Sequence, residues 1–244
     1  MRALALSLVF ASCATLEGTK PDLQVQLEGK LLGHKVYAQC ALHRSAFFDD
    51  PTRDLVSAHR VGARFLALNA RGEPLPLEAK LNRVHPGSIW RIDRISFPTR
   101  FERVMRPLRS PRHLAWLHLL SGSSRAVLVI PEHLGDAEAV LSWLDQRFGH
   151  EPPKGLAGLN PATRSAVTQG RLVSEMDAGA AELALCPPDR VFRDVRANPP
   201  VEKWIYLHQG GDHRMAVLID GKVTGKLLPL SSEALKALEQ PSRP

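Results

Sequence analysis

Cysteine, histidine and arginine are the side chains whose types and spacing could do chemistry here. The cysteines are Cys13, Cys40 and Cys186, an odd number, and in an exported chain an odd count asks for a separate role for one of them. Cys13 has that role within reach. It follows the positive charge of Met1-Arg2, an apolar run from Ala3 to Ala11 broken only by Ser7, and the small residue Ser12, which is the order of a bacterial signal segment. The run is far too short to stay in a bilayer as a spanning helix. Cys40 and Cys186 are left with two alternatives: a disulfide in an oxidising compartment, or two inert buried thiols.

The ten histidines are scattered. They form no H-E-x-x-H and no pair at i, i+4 that would set two ligands on one helix face, and the chain has no C-x-x-C. His113 and His118 are five apart in an expected strand. Gly221-Lys222-Val223-Thr224-Gly225-Lys226 has too few residues between its glycines for a phosphate loop and falls in a hairpin. Ser121-Gly122-Ser123 lacks the nucleophile elbow, and no G-x-G-x-x-G offers a dinucleotide site. The reading is a non-enzyme with no catalytic residue, no cofactor and no metal.

Arginine supplies the conspicuous spacing. Arg91, Arg94, Arg100, Arg103, Arg106, Arg109 and Arg112 fall on an interval of three, broken only at Phe97. In an extended left-handed segment of three residues per turn they would line one edge, and Pro98, Pro107 and Pro111 suit that conformation. Such a stripe, above all Arg100 to Arg112, could grip phosphates or carboxylates bidentately. The bland reading is a solvated loop. Strand alternation would put Arg91 and Arg94 on opposite faces.

These residues must be held by a folded body. The chain has 244 residues, 44% hydrophobic and 23% charged, enough for two modest domains, and its 19 prolines and 17 glycines are spread along it. That texture favours a β-rich α+β architecture. The charge of +7 attracts anions of some kind. Alternation marks Leu23–Leu27, Arg64–Leu68 and Ile89–Ile95 as strands, with turn chemistry at 69–74 and 84–88. Trp116–Leu120 and Arg125–Ile130 read as a hairpin across 121–124. Asp136 should cap a helix over Ala137–Phe148 that Gly149 stops. Residues 21–150 thus read as a small antiparallel sheet or barrel of about five strands with one helix, SH3-like by strand number.

Residues 151–162 read as a linker, and the texture then changes. Two short helices are expected over Ala162–Gly170 and Asp177–Leu185, the second capped by Asp177 and ended by Pro187-Pro188. Strands follow at Val191–Val195, Lys203–Leu207, Met215–Ile219 and Lys222–Leu227, the last two turned by Asp220-Gly221. Trp204 and Tyr206 share a strand face, either as core or as an exposed partner-binding pair.

Two resemblances sit on these residues. Phe10-Ala11-Ser12-Cys13 resembles the lipobox of bacterial lipoproteins, with Phe10 in place of the usual Leu; Ala14 after the cysteine resembles the pattern sorted to the outer membrane. This implies lipidation of Cys13, a signal peptide over 1–12 and a tether over 13–20. More than one acyl chain would be needed for firm attachment. Val167-Thr168-Gln169-Gly170-Arg171-Leu172-Val173-Ser174-Glu175-Met176, Leu185-Cys186-Pro187-Pro188-Asp189-Arg190, Glu202-Lys203-Trp204-Ile205-Tyr206 and Ile219-Asp220-Gly221-Lys222-Val223 together resemble the BamE (SmpA/OmlA-type) lipoprotein family. Glu175 and Cys186 stand where the family motif has Gly. The resemblance implies an ααβββ two-layer sandwich over 163–230, followed by a tail over 231–244, and a supporting role in outer-membrane assembly.

The function expected is therefore a binding or assembly module on the membrane, anchored by lipid and facing the periplasm. Its partners would be envelope proteins or anionic envelope polymers, and nucleic acid is not expected. The competing reading is a basic cytosolic nucleic-acid-binding protein that uses the Arg91–Arg112 stripe, a reading opposed by the signal segment and by the scarcity of aromatics among those arginines.

Overall fold

A computed structural model describes residues 19–47, 52–58, 83–98, 113–131, 133–207 and 213–239. The fold is mixed α+β, with five α-helices and two sheets among these residues, one of the sheets curled as a half-barrel. The expected strand Arg64–Leu68 and the turn at 69–74 lie outside them.

The first element corrects an expectation. Residues 23–27 are not a strand but part of helix α1 (Pro21–Leu31). Leu23 and Leu27 satisfy a period of four as well as a period of two, and Leu31 extends the buried stripe; Val25, which a strand would bury beside them, is 70% exposed. Pro21 suits the first turn, Asp22 and Lys30 complement the helix dipole, and Gly33 takes φ +80 just past the end.

The larger sheet comprises β1 (Lys35–Ala38), β2 (His43–Ala46), β3 (Asp54–Ser57), β4 (Ile89–Ser96), β5 (His113–Ser121), β6 (Ser124–Pro131) and β7 (Phe148–Gly149). Their order is β2-β3-β6-β5-β4-β1-β7. All pairs are antiparallel except β3–β6, which is parallel, so the sheet is neither limited to about five strands nor purely antiparallel. The β5–β6 hairpin turns on Gly122 (φ +57) and Ser123. In β4 a bulge between Ile92 and Arg94 resets the alternation, which brings Ile95 to the same core as Trp90 and Ile92 and leaves Arg91 and Arg94 both exposed. The opposite-face placement expected of those two arginines is thereby corrected. Helix α2 (Ala137–Asp145) is capped by Asp136, whose side chain accepts from Ala139 N at 2.8 Å. It ends earlier than expected, because Phe148-Gly149 pairs with Tyr37-Ala38 as β7.

The smaller unit begins with α3 (Pro161–Thr168), capped by Asn160, and α4 (Ala178–Leu185), capped by Asp177. A second sheet follows, with β8 (Arg190–Asp194), β9 (Val201–Tyr206), β10 (His213–Ile219), β11 (Lys222–Val223) and β12 (Leu228–Leu230). Its order is β11-β10-β9-β8, with β12 also paired to β10. Asp220 (φ +51) and Gly221 (φ +70) make the tight turn between β10 and β11. The expected strand Lys222–Leu227 is divided into β11 and β12. Helix α5 (Ser232–Glu239), in the segment expected to be a tail, sets Leu235 against Ile205 and Leu230. The helix-facing side of the sheet buries Trp204, Tyr206, Ala216 and Leu218 with Val167, Ala181 and Leu185.

Candidate functional site

Cys13 and Arg100, Arg103, Arg106, Arg109 and Arg112 lie outside the described residues, so the anchor and most of the stripe have no structural account. Arg91 and Arg94 remain on β4. Arg91 approaches Asp93 at 3.8 Å on the exposed side. Arg94 turns toward His118, and these two are register partners across β4–β5.

His118 is buried, 4% exposed, and lies in a polar cluster on the side of the larger sheet away from its main core. Arg53 Nη1 is 2.7 Å from His118 Nδ1. A guanidinium can only donate, so Nδ1 accepts and the ring proton sits on Nε2, which donates to Ser96 Oγ at 2.7 Å. Arg94 Nη2 stands 3.4 Å from Nε2. Both ring nitrogens are thus engaged by side chains of the cluster. Arg44 grips the buried Asp54 through Nε, at 2.7 Å, and Nη2.

Of the two alternatives for Trp204 and Tyr206, the structure shows the core one and not the exposed partner-binding pair: Trp204 is 4% and Tyr206 2% exposed, both within the core under α3 and α4. Trp204 Nε1 donates to Glu202 Oε2 at 2.8 Å. The hairpin pairing that turns their strand face toward the helices leaves no aromatic patch there for a partner.

The junction between the two units gathers the remaining chemistry. Cys40 and Cys186 are joined in a disulfide, with Cα atoms 4.9 Å apart across 146 residues. Cys40 follows β1, and Cys186 caps the end of α4 with φ +65. Beside them, Ala41 N donates to Leu183 O at 2.8 Å, and the side chain of Arg83 lies where a Cβ on Gly170 would stand. Arg147, buried between α2 and β7, donates from Nη1 to Trp143 O at 2.9 Å and lies 4.2 Å from the centre of the Trp143 ring. Burial lowers its pKa to about 10, an effect partly opposed by the Asp189 carboxylate from the smaller unit. Asp189 Oδ2 accepts from Leu207 N at 2.6 Å. Burial, reinforced by the charges of Glu182 and Asp189, pushes the Tyr206 phenol above its ordinary range, and burial also raises Glu182. Sequence reading missed this cluster because its members lie on α2–β7, α4, β9 and the turn before β8, with no local pattern linking them.

Among the described residues there is no group of three or more His, Cys, Asp or Glu side chains that could hold a metal, and no helix long and apolar enough to cross a membrane. A shallow groove between α1 and α2, lined by Lys30, Glu138, Leu141, Ser142, Asp145 and Gln146, opens to solvent. Comparison with protein families, curated proteins and solved structures finds no match to this chain.

Proposed function

We propose that the chain is a non-enzymatic envelope lipoprotein, anchored through lipid on Cys13, whose α+β body is a binding or assembly module at the outer membrane facing the periplasm. The disulfide between Cys40 and Cys186 carries this reading. A buried structural disulfide belongs to an oxidising compartment, and it accounts for two of the three cysteines. The cysteine left over is the one behind the signal-like segment.

The BamE-like reading of the smaller unit is supported by its backbone. Glu175 and Cys186, the two positions where the family motif carries Gly, both take φ +65, a conformation Gly adopts freely and other residues adopt at a cost. The turns keep the shape that the motif's glycines would serve, although the glycines are absent. For partners, the exposed Arg91 and Arg94, continuing into Arg100 to Arg112, suit anionic envelope polymers.

Metabolic labelling with a fatty-acid precursor tests the anchor. Wild type should take up label and fractionate with membranes, whereas Cys13→Ser should lose the label and be released; an unlabelled wild type, or equal label on both, would sink the reading. Replacing Arg103, Arg106 and Arg109 by Ser should weaken co-sedimentation with isolated cell wall, and unchanged sedimentation would remove the polymer from the account.

A further inference from the structure

In the folded molecule both sulfurs of the junction disulfide are out of reach: Cys40 is 1% and Cys186 0% exposed. The two residues belong to different units 146 positions apart, so they meet only as the units come together. The surrounding contacts, Ala41 to Leu183 and the buried Arg147, are those of a closed junction. Thiol–disulfide exchange needs a thiolate to reach a sulfur, and a closed junction denies that access.

We propose that the Cys40–Cys186 bond is installed on the open chain, by exchange with an oxidised dithiol protein of the exporting compartment, and that closure of the junction then seals it. The Cys40 thiolate attacks one sulfur of the oxidant's disulfide, forming a mixed disulfide and freeing the oxidant's other thiolate. The Cys186 thiolate then attacks the Cys40 sulfur, which completes the bond and releases the oxidant as a dithiol. Two protons leave the two cysteines and two electrons pass to the oxidant. Cys40 acts first because a chain exported from its N-terminus presents it 146 residues ahead of Cys186. The proposal rests on the export reading for that order and for where the oxidant is met.

The chemistry is tested apart from location on the full chain carrying Cys13→Ser. Reduced, urea-unfolded protein is refolded with oxidised glutathione as the probe oxidant. Timed samples are alkylated to count thiols and pulsed with trypsin to follow cleavage after the junction residue Arg147. Free thiols should disappear before, or together with, the rise of protection at Arg147; protection arising while Cys40 and Cys186 remain unpaired overturns the proposal. In a second measurement, dithiothreitol should reduce the native oxidised chain at least about a hundredfold more slowly without urea than with it, and equal rates overturn the seal. If the lipoprotein reading fails, Cys13 lacks lipid in cells, and both outcomes here stand unaffected.

Discussion

Tyr206 is held protonated in the fold by burial and by the nearby carboxylates of Glu182 and Asp189. In the unfolded chain the same phenol ionises near its ordinary pKa of 10.0. Above that pH the unfolded state sheds a proton that the folded state keeps, so a stability contribution fully present below pH 10 is lost as pH rises. Arg147 acts in the opposite sense. Burial lowers its pKa from the ordinary guanidinium range to about 10, so above about pH 10 the unfolded chain holds more protons and stability gains with pH. Tyr206→Phe removes the first effect alone, and the urea midpoint of the variant should fall less steeply above pH 10 than that of wild type. Backbone conformation yields a second residue-scale expectation. At Gly170, φ +60 strains any residue with a Cβ, and the Arg83 guanidinium would also have to move aside, so Gly170→Ala should cost about 1–3 kcal/mol. Exposed Glu175 has the reverse problem, a side chain on φ +65. Glu175→Gly should therefore raise the urea midpoint, by about 0.5–1 kcal/mol in stability, unlike most substitutions to Gly.

Among the elements, α1 separates two readings of one short pattern. A strand over 23–27 would bury Leu23, Val25 and Leu27 together, whereas the helix buries Leu23, Leu27 and Leu31 and leaves Val25 in water. Leu27→Ala should cost about 2–5 kcal/mol as a cavity in the main core, while Val25→Lys should stay within about 0.5 kcal/mol of wild type; equal losses in urea denaturation would argue for the strand. The bulge in β4 works at the same scale. One inserted residue carries Arg94 to the side of His118 and Ser96 and returns Ile95 to the core. Local alternation was legible in the sequence, but its interruption was not, since a bulge is set by pairing with β5.

For the whole molecule, the disulfide is the covalent tie between the larger sheet and the end of α4. A cross-link that closes a loop of 146 residues removes much chain entropy from the unfolded state, worth about 3–5 kcal/mol. In the Cys13→Ser background, the Cys40→Ser, Cys186→Ser variant should lose that much in urea denaturation, with tryptic cleavage after Arg147 accelerated as the junction loosens. A loss under about 1 kcal/mol would mean that packing alone holds the two units.

Local signals in the chain determined the caps at Asp136 and Asp177, the Asp220-Gly221 turn, the hairpin of Trp116–Leu120 with Arg125–Ile130 and the order of two helices before a meander. Each depends on a few neighbouring residues: a short oxygen-bearing side chain that satisfies a helix N–H, or a residue that tolerates positive φ. The order of charge, apolar run and cysteine at the N-terminus is local as well, and it made Cys13 the residue to watch. Tertiary structure alone decided which face of β9 is covered, and so the burial of Trp204 and Tyr206. It also decided the parallel pairing of β3 with β6, the His118 cluster, the influence of the Asp189 charge on Arg147 and the meeting of Cys40 with Cys186. All of these join residues from distant parts of the chain, where no period or spacing can record a partner; they exist only once separate elements have packed.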